Sequence, residues 1–383
     1  MIKSMPLNEF LFEYTERNID NKYRPVAVGR YGIRSRDSIY SKELAKDYSK
    51  NKLIFKNTLT IGMGSVQIDI GILSTDETYS VSPAYHTYRI NNINPNYLRY
   101  CLECRNQDMF VRYVKKGSRQ GKTIDLSRWL TYEIPVYSIE DQEKIVDKID
   151  RVQGIIDASE KQLVKLDELV KSRFVEMFGD PLTKTKYPKR QISDLGIVGT
   201  GNTPSMRVSE YYESEDIPFI KPGDIAESGV TIVSNADTAY ISESARKAAR
   251  IMPYNTVMVT CIGTIGKVGI VQRESACNQQ INYIIPNALI NSMYLAQCLS
   301  FYKPVLEEMA NAPVVPIINK TQFSTVALPV PPLELQNCFA AFVAEVDKSK
   351  FRIQKSLSVG RKLWTMAQID AIINMDFSTQ RSL

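Results

Sequence analysis

Two stretches of the chain place apolar residues at alternating spacings of four and three, which is the a/d pattern of a coiled-coil helix. The first stretch consists of Ile145, Ile149, Val152, Ile156, Ser159, Leu163, Leu166 and Val170. The second consists of Phe339, Val343, Val346, Lys350, Ile353, Leu357, Gly360 and Trp364, in which Lys350 and Gly360 interrupt the apolar stripe. One narrow stripe cannot bury itself, so we predict that the two helices pair as an antiparallel coiled coil. The alternative is that each helix packs on its own domain.

The two predicted helices lie within a longer internal repeat. Residues 131–169 align without a gap on the segment that begins at Thr325. The matching pairs include Pro135 and Pro329, Glu140 and Glu334, Gln142 and Gln336, and, upstream at a slightly different offset, Tyr97 and Tyr294. The first helix is predicted to end near Phe178, because Gly179 follows it. A long duplication indicates two equivalent modules, and hence two equivalent partners or half-sites.

The remaining segments mix short β-like runs with helix-like stretches. Glycine follows the β-like runs at 59–61 and 257–262, and helix-like patterns cover 96–114 and 292–309. These patterns predict an α+β fold in which two α/β domains are separated by the two long helices. The predicted bounds are 1–134 for the first α/β domain, 135–180 for a central helical region, 181–327 for the second α/β domain and 328–383 for a C-terminal helical region.

Composition and charge place the chain among globular proteins and suggest a polyanionic partner. The 383 residues are 44% hydrophobic and 23% charged, which suffices for two or three domains. The sequence shows neither a long apolar run nor a signal pattern, so we expect a cytoplasmic protein without a membrane partner. The net charge of +6 is uneven, with +8 in residues 1–130 and −5 in 131–180. A basic first domain favours a polyanion, and a solvated lysine-rich face is the alternative.

Two resemblances to catalytic motifs fail on inspection. Gly263 and Gly266 stand too close together for a phosphate-binding loop, and no Ser or Thr follows Lys267. Asn94-Pro-Asn-Tyr resembles the Asn-Pro-Pro-Tyr signature of adenine methyltransferases, but it lacks the second proline, and the repeat replaces it with Asn291-Ser-Met-Tyr. We therefore interpret the glycine segment as a β-turn, and Asn94-Pro-Asn-Tyr and Asn291-Ser-Met-Tyr as helix starts.

The cysteines and the histidine also argue against catalysis by this chain. Cys101 aligns with Cys298 in the repeat, which favours a buried structural role over metal or redox chemistry. His86 is the only histidine and has no counterpart in the second half. We expect no catalytic residues, no metal site and no cofactor bound by this chain.

Basic and amide side chains cluster in predicted turns and are the candidates for contact with DNA. Arginine and lysine suit phosphates and guanine edges, whereas asparagine and glutamine can bind adenine through two hydrogen bonds. The candidates are Arg30, Arg34, Arg36, Lys115, Lys116, Arg119, Gln120, Lys122, Arg246, Lys247, Arg250, Lys267, Asn278, Gln279 and Gln280. For any one of them, a solvated charge is the alternative.

Taken together, these features resemble one family, the DNA-specificity subunits of type I restriction-modification systems. The resemblance rests on Ile134-Pro-Val with Glu140-Asp-Gln, on Leu328-Pro-Val-Pro-Pro-Leu-Glu-Leu-Gln, on Met177-Phe-Gly-Asp-Pro and on Ile217-Pro-Phe-Ile-Lys-Pro-Gly-Asp-Ile. It covers nearly the whole chain, and the repeated Pro-x-x-x-Leu-Glu-x-Gln helix is its most specific part.

The resemblance implies a noncatalytic subunit with two target-recognition domains, each reading half of a bipartite site in double-stranded DNA. The two helical regions would set the gap and dock two methyltransferase subunits, and two restriction/translocase subunits would complete the complex. S-adenosylmethionine, ATP and Mg would be used by those partners. Two other hypotheses stay open at this point: a coiled-coil adaptor that joins two proteins without contacting DNA, and a self-sufficient methyltransferase or nuclease.

Overall fold

The structure is a computed structural model that describes residues 3–30, 32–36, 47–116, 121–233, 238–310 and 315–372. It contains two compact units. Unit 1 comprises Met1–Ala158 and Ser356–Leu383, and unit 2 comprises Ser159–Lys355. Helices in the described residues are α1 (Pro95–Cys104), α2 (Asn106–Tyr113), α3 (Leu126–Trp129), α4 (Ile139–Phe178), α5 (Ile192–Leu195), α6 (Ser292–Phe301), α7 (Lys303–Met309), α8 (Lys320–Ser324) and α9 (Leu333–Ile372).

Unit 1 is built around an antiparallel sheet with the strand order β2-β9-β6-β7. The strands of this unit are β1 (Lys3–Pro6), β2 (Leu11–Glu13), β3 (Val26–Gly29), β4 (Gly32–Ser35), β5 (Lys52–Ile54), β6 (Thr58–Met63), β7 (Ile68–Ile72), β8 (Tyr79–Val81), β9 (His86–Ile90), β10 (Val114–Lys116), β11 (Lys122–Ile124) and β12 (Glu133–Val136). The pairs β1–β12, β3–β4, β5–β8 and β10–β11 form two-stranded antiparallel ribbons. Ribbon β1–β12 joins the two ends of the domain and leads directly into α4.

The core of unit 1 forms where α1 packs on the sheet. Leu59 and Ile61 of β6 are fully buried, and so are Leu98 and Leu102, which lie four apart on one face of α1. Trp129 on α3 is also fully buried. Thr60, between the two buried strand residues, is fully buried as well, so both faces of the interior strand β6 are covered.

Unit 2 contains a five-stranded sheet, β14-β22-β19-β20-β16, and a four-stranded sheet, β17-β15-β21-β18. Its strands are β13 (Lys189–Gln191), β14 (Gly196–Thr200), β15 (Ile217–Ile220), β16 (Val230–Val233), β17 (Ala239–Ile241), β18 (Ile251–Met252), β19 (Val257–Thr260), β20 (Val268–Val271), β21 (Ser275–Cys277), β22 (Ile281–Pro286) and β23 (Ala327–Pro329). Pairs β15–β21 and β16–β20 are parallel, and the others are antiparallel. Ribbon β13–β23 repeats the role of β1–β12, since it leads directly into α9.

The predicted helix-like stretches at 96–114 and 292–309 are each two helices. In unit 1, α1 ends at Cys104 and α2 begins at Asn106; in unit 2, α6 ends at Phe301 and α7 begins at Lys303. Pro304 explains the second break, because proline is tolerated in the first turn of a helix but not in its interior. The first break has no proline, and α2 starts from Arg105 without a side-chain cap.

The first long helix ends where the sequence predicts. The Ser138 hydroxyl accepts a hydrogen bond from the Asp141 amide at 3.2 Å at the start of α4. The helix ends at Phe178, and Gly179 follows with a φ of +79°. Residues with a side chain rarely adopt this left-handed conformation, which is why a glycine ends the helix here.

The long helices run antiparallel, as predicted. In unit 2, Phe174 of α4 lies against Phe339 of α9, with ring centroids 5.4 Å apart. Asp167 of α4 forms an ion pair with Lys350 of α9 at 2.6 Å. The residue number therefore falls along α4 as it rises along α9. The apolar residues that the sequence places on the stripe are all buried or half-buried.

Unit 1 repeats this pairing with the other halves of the same helices. A Cβ atom placed on Gly360 would lie at an ordinary van der Waals distance of 3.4 Å from Ile156, so the glycine that interrupts the stripe faces a buried isoleucine of α4. Trp364 packs against the core of unit 1. The predicted class, α+β with two long helices pairing as an antiparallel coiled coil, is the observed one.

Candidate nucleic-acid interface

Unit 1 contains a cleft of about 1460 Å³ that brings together five arginines, Arg24, Arg30, Arg34, Arg36 and Arg99. We call it the arginine cleft. The sequence placed three of these arginines in one loop, but Gly32–Ser35 is strand β4, which pairs with β3. Two features of the sequence indicate this hairpin: the alternation of residues in Val26–Gly29, and Gly29 and Gly32, which flank the turn. Arg24 and Arg99 were missed, because only the tertiary fold brings them to the cleft.

Acidic and aromatic side chains form the other part of the cleft lining. Arg99 lies 4.2 Å from the centre of the Tyr100 ring and 3.4 Å from the Glu103 carboxylate. Burial raises the pKa of Tyr100 to about 12, so its hydroxyl stays a neutral donor, and it hydrogen-bonds to Asp150. Burial also raises the pKa of Glu103. Arg99 therefore lies beside acidic and aromatic groups, whereas the other four arginines lie on or next to the β3–β4 hairpin.

The other basic candidates of unit 1 lie at residues 115–122, and two of them contact other parts of the protein. Lys115 pairs with Asp125 at 2.6 Å, and this hydrogen bond holds the pKa of the carboxyl below its usual range. Lys122 donates to the Ser65 carbonyl at 2.6 Å and lies 5.0 Å from the centre of the Phe110 ring. The backbone of Lys116 belongs to strand β10. Arg119 and Gln120 lie outside the described residues.

In unit 2, a set of loops brings amide, hydroxyl and guanidinium groups together. We call it the amide cluster, and it consists of Asn202, Thr203, Arg250, Asn278, Gln279 and Gln280. The Thr203 hydroxyl donates to Oε1 of Gln279 at 2.9 Å, and the side-chain Oδ1 of Asn202 accepts from the backbone amide of Arg250 at 2.9 Å. Between β21 and β22, Asn278 and Gln280 bind each other.

Gly201 makes the amide cluster possible. A Cβ atom at this position would lie 2.3 Å from the backbone oxygens of both Cys277 and Asn278, so no residue with a side chain fits. The close approach seats the loop that carries Asn202 and Thr203 against the loop that carries Gln279. As predicted, residues 278–280 lie between two strands.

The remaining candidates of unit 2 differ in their exposure. Arg246 pairs with Glu243 and with Glu274, the latter at 3.2 Å, whereas Lys247 is exposed to solvent. Lys267 is only 8% exposed and pairs with Glu227 at 2.7 Å. This ion pair holds the pKa of the Glu227 carboxyl below its usual range. The sequence does not reveal that Lys267 is buried, because its partner Glu227 lies 40 residues upstream.

Asn94 and Asn291, which stand at the two predicted helix starts, are N-terminal caps. The side chain of Asn94 accepts from the first amides of α1, and that of Asn291 accepts from the first amides of α6. Cys101 and Cys298 are fully buried, and burial raises the pKa of each thiol to about 12. Both thiols therefore stay protonated at neutral pH, which fits a structural role.

Two further findings concern only the part of the chain that the structure describes. There, no group of three or more His, Cys, Asp or Glu side chains is arranged to hold a metal ion. Among the same residues, no helix combines the length and the apolar character needed to cross a membrane.

Two curated proteins show what this chain is similar to. The type I restriction enzyme HindI specificity subunit of Haemophilus influenzae is 28% identical over 163 residues, which are 42% of this chain and 35% of that protein. The MjaIX specificity subunit of Methanocaldococcus jannaschii is 28% identical over 172 residues, 42% of this chain and 39% of that protein. The matched part of this chain thus spans less than half the length of either relative.

Solved structures share the fold. The S subunit of a type I restriction-modification system from M. genitalium superimposes with a TM-score of 0.58 at 12% identity, covering 97% of this chain and 96% of that chain. A chain from a structural study of complex assembly and conformational transition in the type I system also gives 0.58, at 18% identity, with 97% of both chains covered.

The family is shown by a match of its model at two places in the chain. The model, described as the type I restriction modification DNA specificity domain, matches residues 4–168 and 185–359. Each match covers one α/β domain together with a large part of its long helix, and the two matches together cover most of the sequence. The chain belongs to the family of DNA-specificity subunits of type I restriction-modification systems.

Proposed function

We propose that this chain reads a bipartite target in double-stranded DNA, with one half-site bound by the α/β domain of each unit. The observation that carries the proposal is the double match to the DNA specificity domain, at 4–168 and 185–359. Two such domains in one chain, joined by paired helices, suit a target made of two sequences separated by a gap of fixed length.

The two units would bind DNA by different chemistry. Five arginines in one cleft of unit 1 suit phosphate groups, because guanidinium binds phosphate oxygens through two parallel hydrogen bonds. The amide cluster of unit 2 suits base edges, since Asn and Gln side chains can both donate to and accept from adenine. In each half-site, the domain would present an adenine for flipping into the active site of a partner.

The partner subunits would supply the chemistry. We propose that the chain works in the cytoplasm with two methyltransferase subunits and, in the full complex, two restriction/translocase subunits. Those subunits would bind S-adenosylmethionine, ATP and Mg, and this chain would bind none of them. Exposed apolar side chains on the long helices support protein docking there: Ile155 is 61% exposed on α4, and Phe351 is 68% exposed on α9.

Mapping adenine methylation in a host genome tests the proposal. The full chain is expressed with the methyltransferase subunit of its own system, and the map is compared with that of the methyltransferase alone. We expect a split motif with two fixed halves that appears only when the chain is present. If the proteins copurify, the methyltransferase is active and no motif appears, the coiled-coil adaptor hypothesis replaces the proposal. Methylation by the chain alone would instead favour an enzyme.

A further inference from the structure

The repeat duplicates one buried side-chain amide at the junction between each α/β domain and its long helix. Gln142 lies in the first turns of α4 and Gln336 in the first turns of α9, and both are completely buried. A leucine would fill the same space without the cost of removing an amide from water. Since the amide recurs in both copies, its hydrogen bonds are the feature to explain.

Each of these glutamines joins the helix to the α/β domain of its own unit. The Oε1 atom of Gln142 accepts from the backbone amide of Asn94 at 2.8 Å, while its Nε2 atom donates to the Tyr137 carbonyl at 2.9 Å. In unit 2, Gln336 accepts from the Asn291 amide at 2.8 Å and donates to the Pro331 carbonyl at 2.8 Å. Asn94 and Asn291 are the caps of α1 and α6.

A tyrosine completes each junction. The Tyr97 hydroxyl donates to the Pro135 carbonyl at 2.8 Å, and the Tyr294 hydroxyl donates to the Pro329 carbonyl at 2.8 Å. Both rings are fully buried. In each unit, therefore, the cap of a domain helix, the strand before the long helix and the first turns of that helix are tied by directional bonds.

We propose that Gln142 and Gln336 are positioning residues that fix the angle of each recognition domain on its long helix and so restrict the target to one gap length. The inference rests on the proposed bipartite readout. DNA turns by about 35° per base pair, so one extra base pair in the gap rotates one half-site by that angle. A loosened junction would let a domain follow this rotation, whereas directional bonds in a buried site resist it.

The test uses the full chain together with its methyltransferase partner and a panel of duplexes. Each duplex carries the two halves found for the wild type, with the gap shortened or lengthened by one base pair. We expect the wild type to discriminate against the altered gaps by about tenfold or more, as for a mismatched base pair. Gln142→Met and Gln336→Met should reduce this discrimination to about threefold or less, with unchanged base preferences. Gln107→Met removes an exposed glutamine of unit 1 and should behave as the wild type.

Amide hydrogen exchange provides a second readout on the chain alone. The amides of Asn94 and Asn291 should be protected in the wild type and lose protection in the matching Met variant. Gln142→Glu keeps the acceptor for Asn94 and should recover part of both effects. If a Met variant does not fold, Tyr97→Phe and Tyr294→Phe remove one bond from the same junctions.

The outcomes separate the inference from the proposed function. Variants that fold, lose protection at the caps and still discriminate between gaps as the wild type does would overturn the positioning role. So would variants that lose the base preference of one half-site, because the glutamine would then act in readout. A wild-type chain that selects no split motif at all would remove the proposed function, and the gap inference with it.

Discussion

At the scale of single residues, the arginines of the cleft differ from the other basic candidates in their surroundings. Five of them line one cavity, so several guanidinium groups can reach neighbouring phosphates together, whereas Lys115, Arg246 and Lys267 do not line it. Phosphate binding by unit 1 should therefore depend mainly on the arginine cleft.

Replacing Arg30, Arg34 and Arg36 by Gln should weaken DNA binding and make it less sensitive to salt. Each phosphate contact contributes about 0.9 to the slope of log K against log salt, so the slope should fall by about 2 to 3. Titrations at several salt concentrations measure it. The matched control replaces Lys56, Arg112 and Arg128, which also lie in unit 1 but do not line the cleft. Equal slopes for the cleft variant and the wild type would contradict the assignment.

Lys267 should act on stability rather than on DNA. Its ammonium donates to Glu227 and, at 3.3 Å, to the Pro222 carbonyl, with only 8% of the residue exposed. Lys267→Met removes this donor and should lower the free energy of unfolding by about 1–3 kcal/mol. Thermal melting and a salt titration of the same sample separate the two effects. A reduced salt slope without a change in melting temperature would show that Lys267 does contact phosphate.

At the scale of elements, the long helices could be predicted because their pattern is local. The spacing from Ile145 to Val170 is visible along the sequence, and Gly179 marks the end of the helix. The junction was not predictable in the same way. Gln142 was recognised as part of the repeat, but its bond to Asn94 joins residues 48 positions apart. Sequence spacing carries no information about such a pairing.

Charge on the apolar stripe should separate the paired helices. Ile149 is 1% exposed in unit 1 and Val346 is 6% exposed in unit 2, so an Asp at either position would bury an unpaired carboxylate. Each single substitution should lower the melting temperature markedly, and the double variant should lose the pairing. Circular dichroism and thermal melting measure both effects. Matched controls are Ile155→Asp and Phe351→Asp, at exposed positions of the same helices. An equal fall in melting temperature in these controls would show that burial in the stripe is not the cause.

At the scale of the whole molecule, the two compact units do not follow the order of the chain. Unit 1 combines the first 158 residues with the C-terminal segment, and unit 2 is the part between them. The duplication predicts two equivalent modules, but it does not reveal that the last segment completes the first one. That arrangement follows from antiparallel pairing, in which the end of α9 returns to the beginning of α4.

A substitution near the C-terminus should therefore destabilise the N-terminal domain. Trp364 packs against the core of unit 1, which includes Leu98 and Ile149. Trp364→Ala should lower the stability of this unit by about 2–4 kcal/mol, somewhat less than for a fully buried tryptophan. Hydrogen exchange should then increase in peptides from α1 and remain slow in peptides from β19 and α6 of unit 2, because these elements belong to a separate core.

The control for this prediction lies on the same segment. Val359 is 50% exposed, so Val359→Ala should leave exchange in both units unchanged. If Trp364→Ala increased exchange in unit 2 as strongly as in unit 1, the two units would unfold together. The prediction that their cores are independently stable would then be wrong. If it increased exchange in neither unit, Trp364 would not contribute to the core that it contacts. Loss of protection confined to unit 1 is the result expected when the C-terminal segment completes the first module.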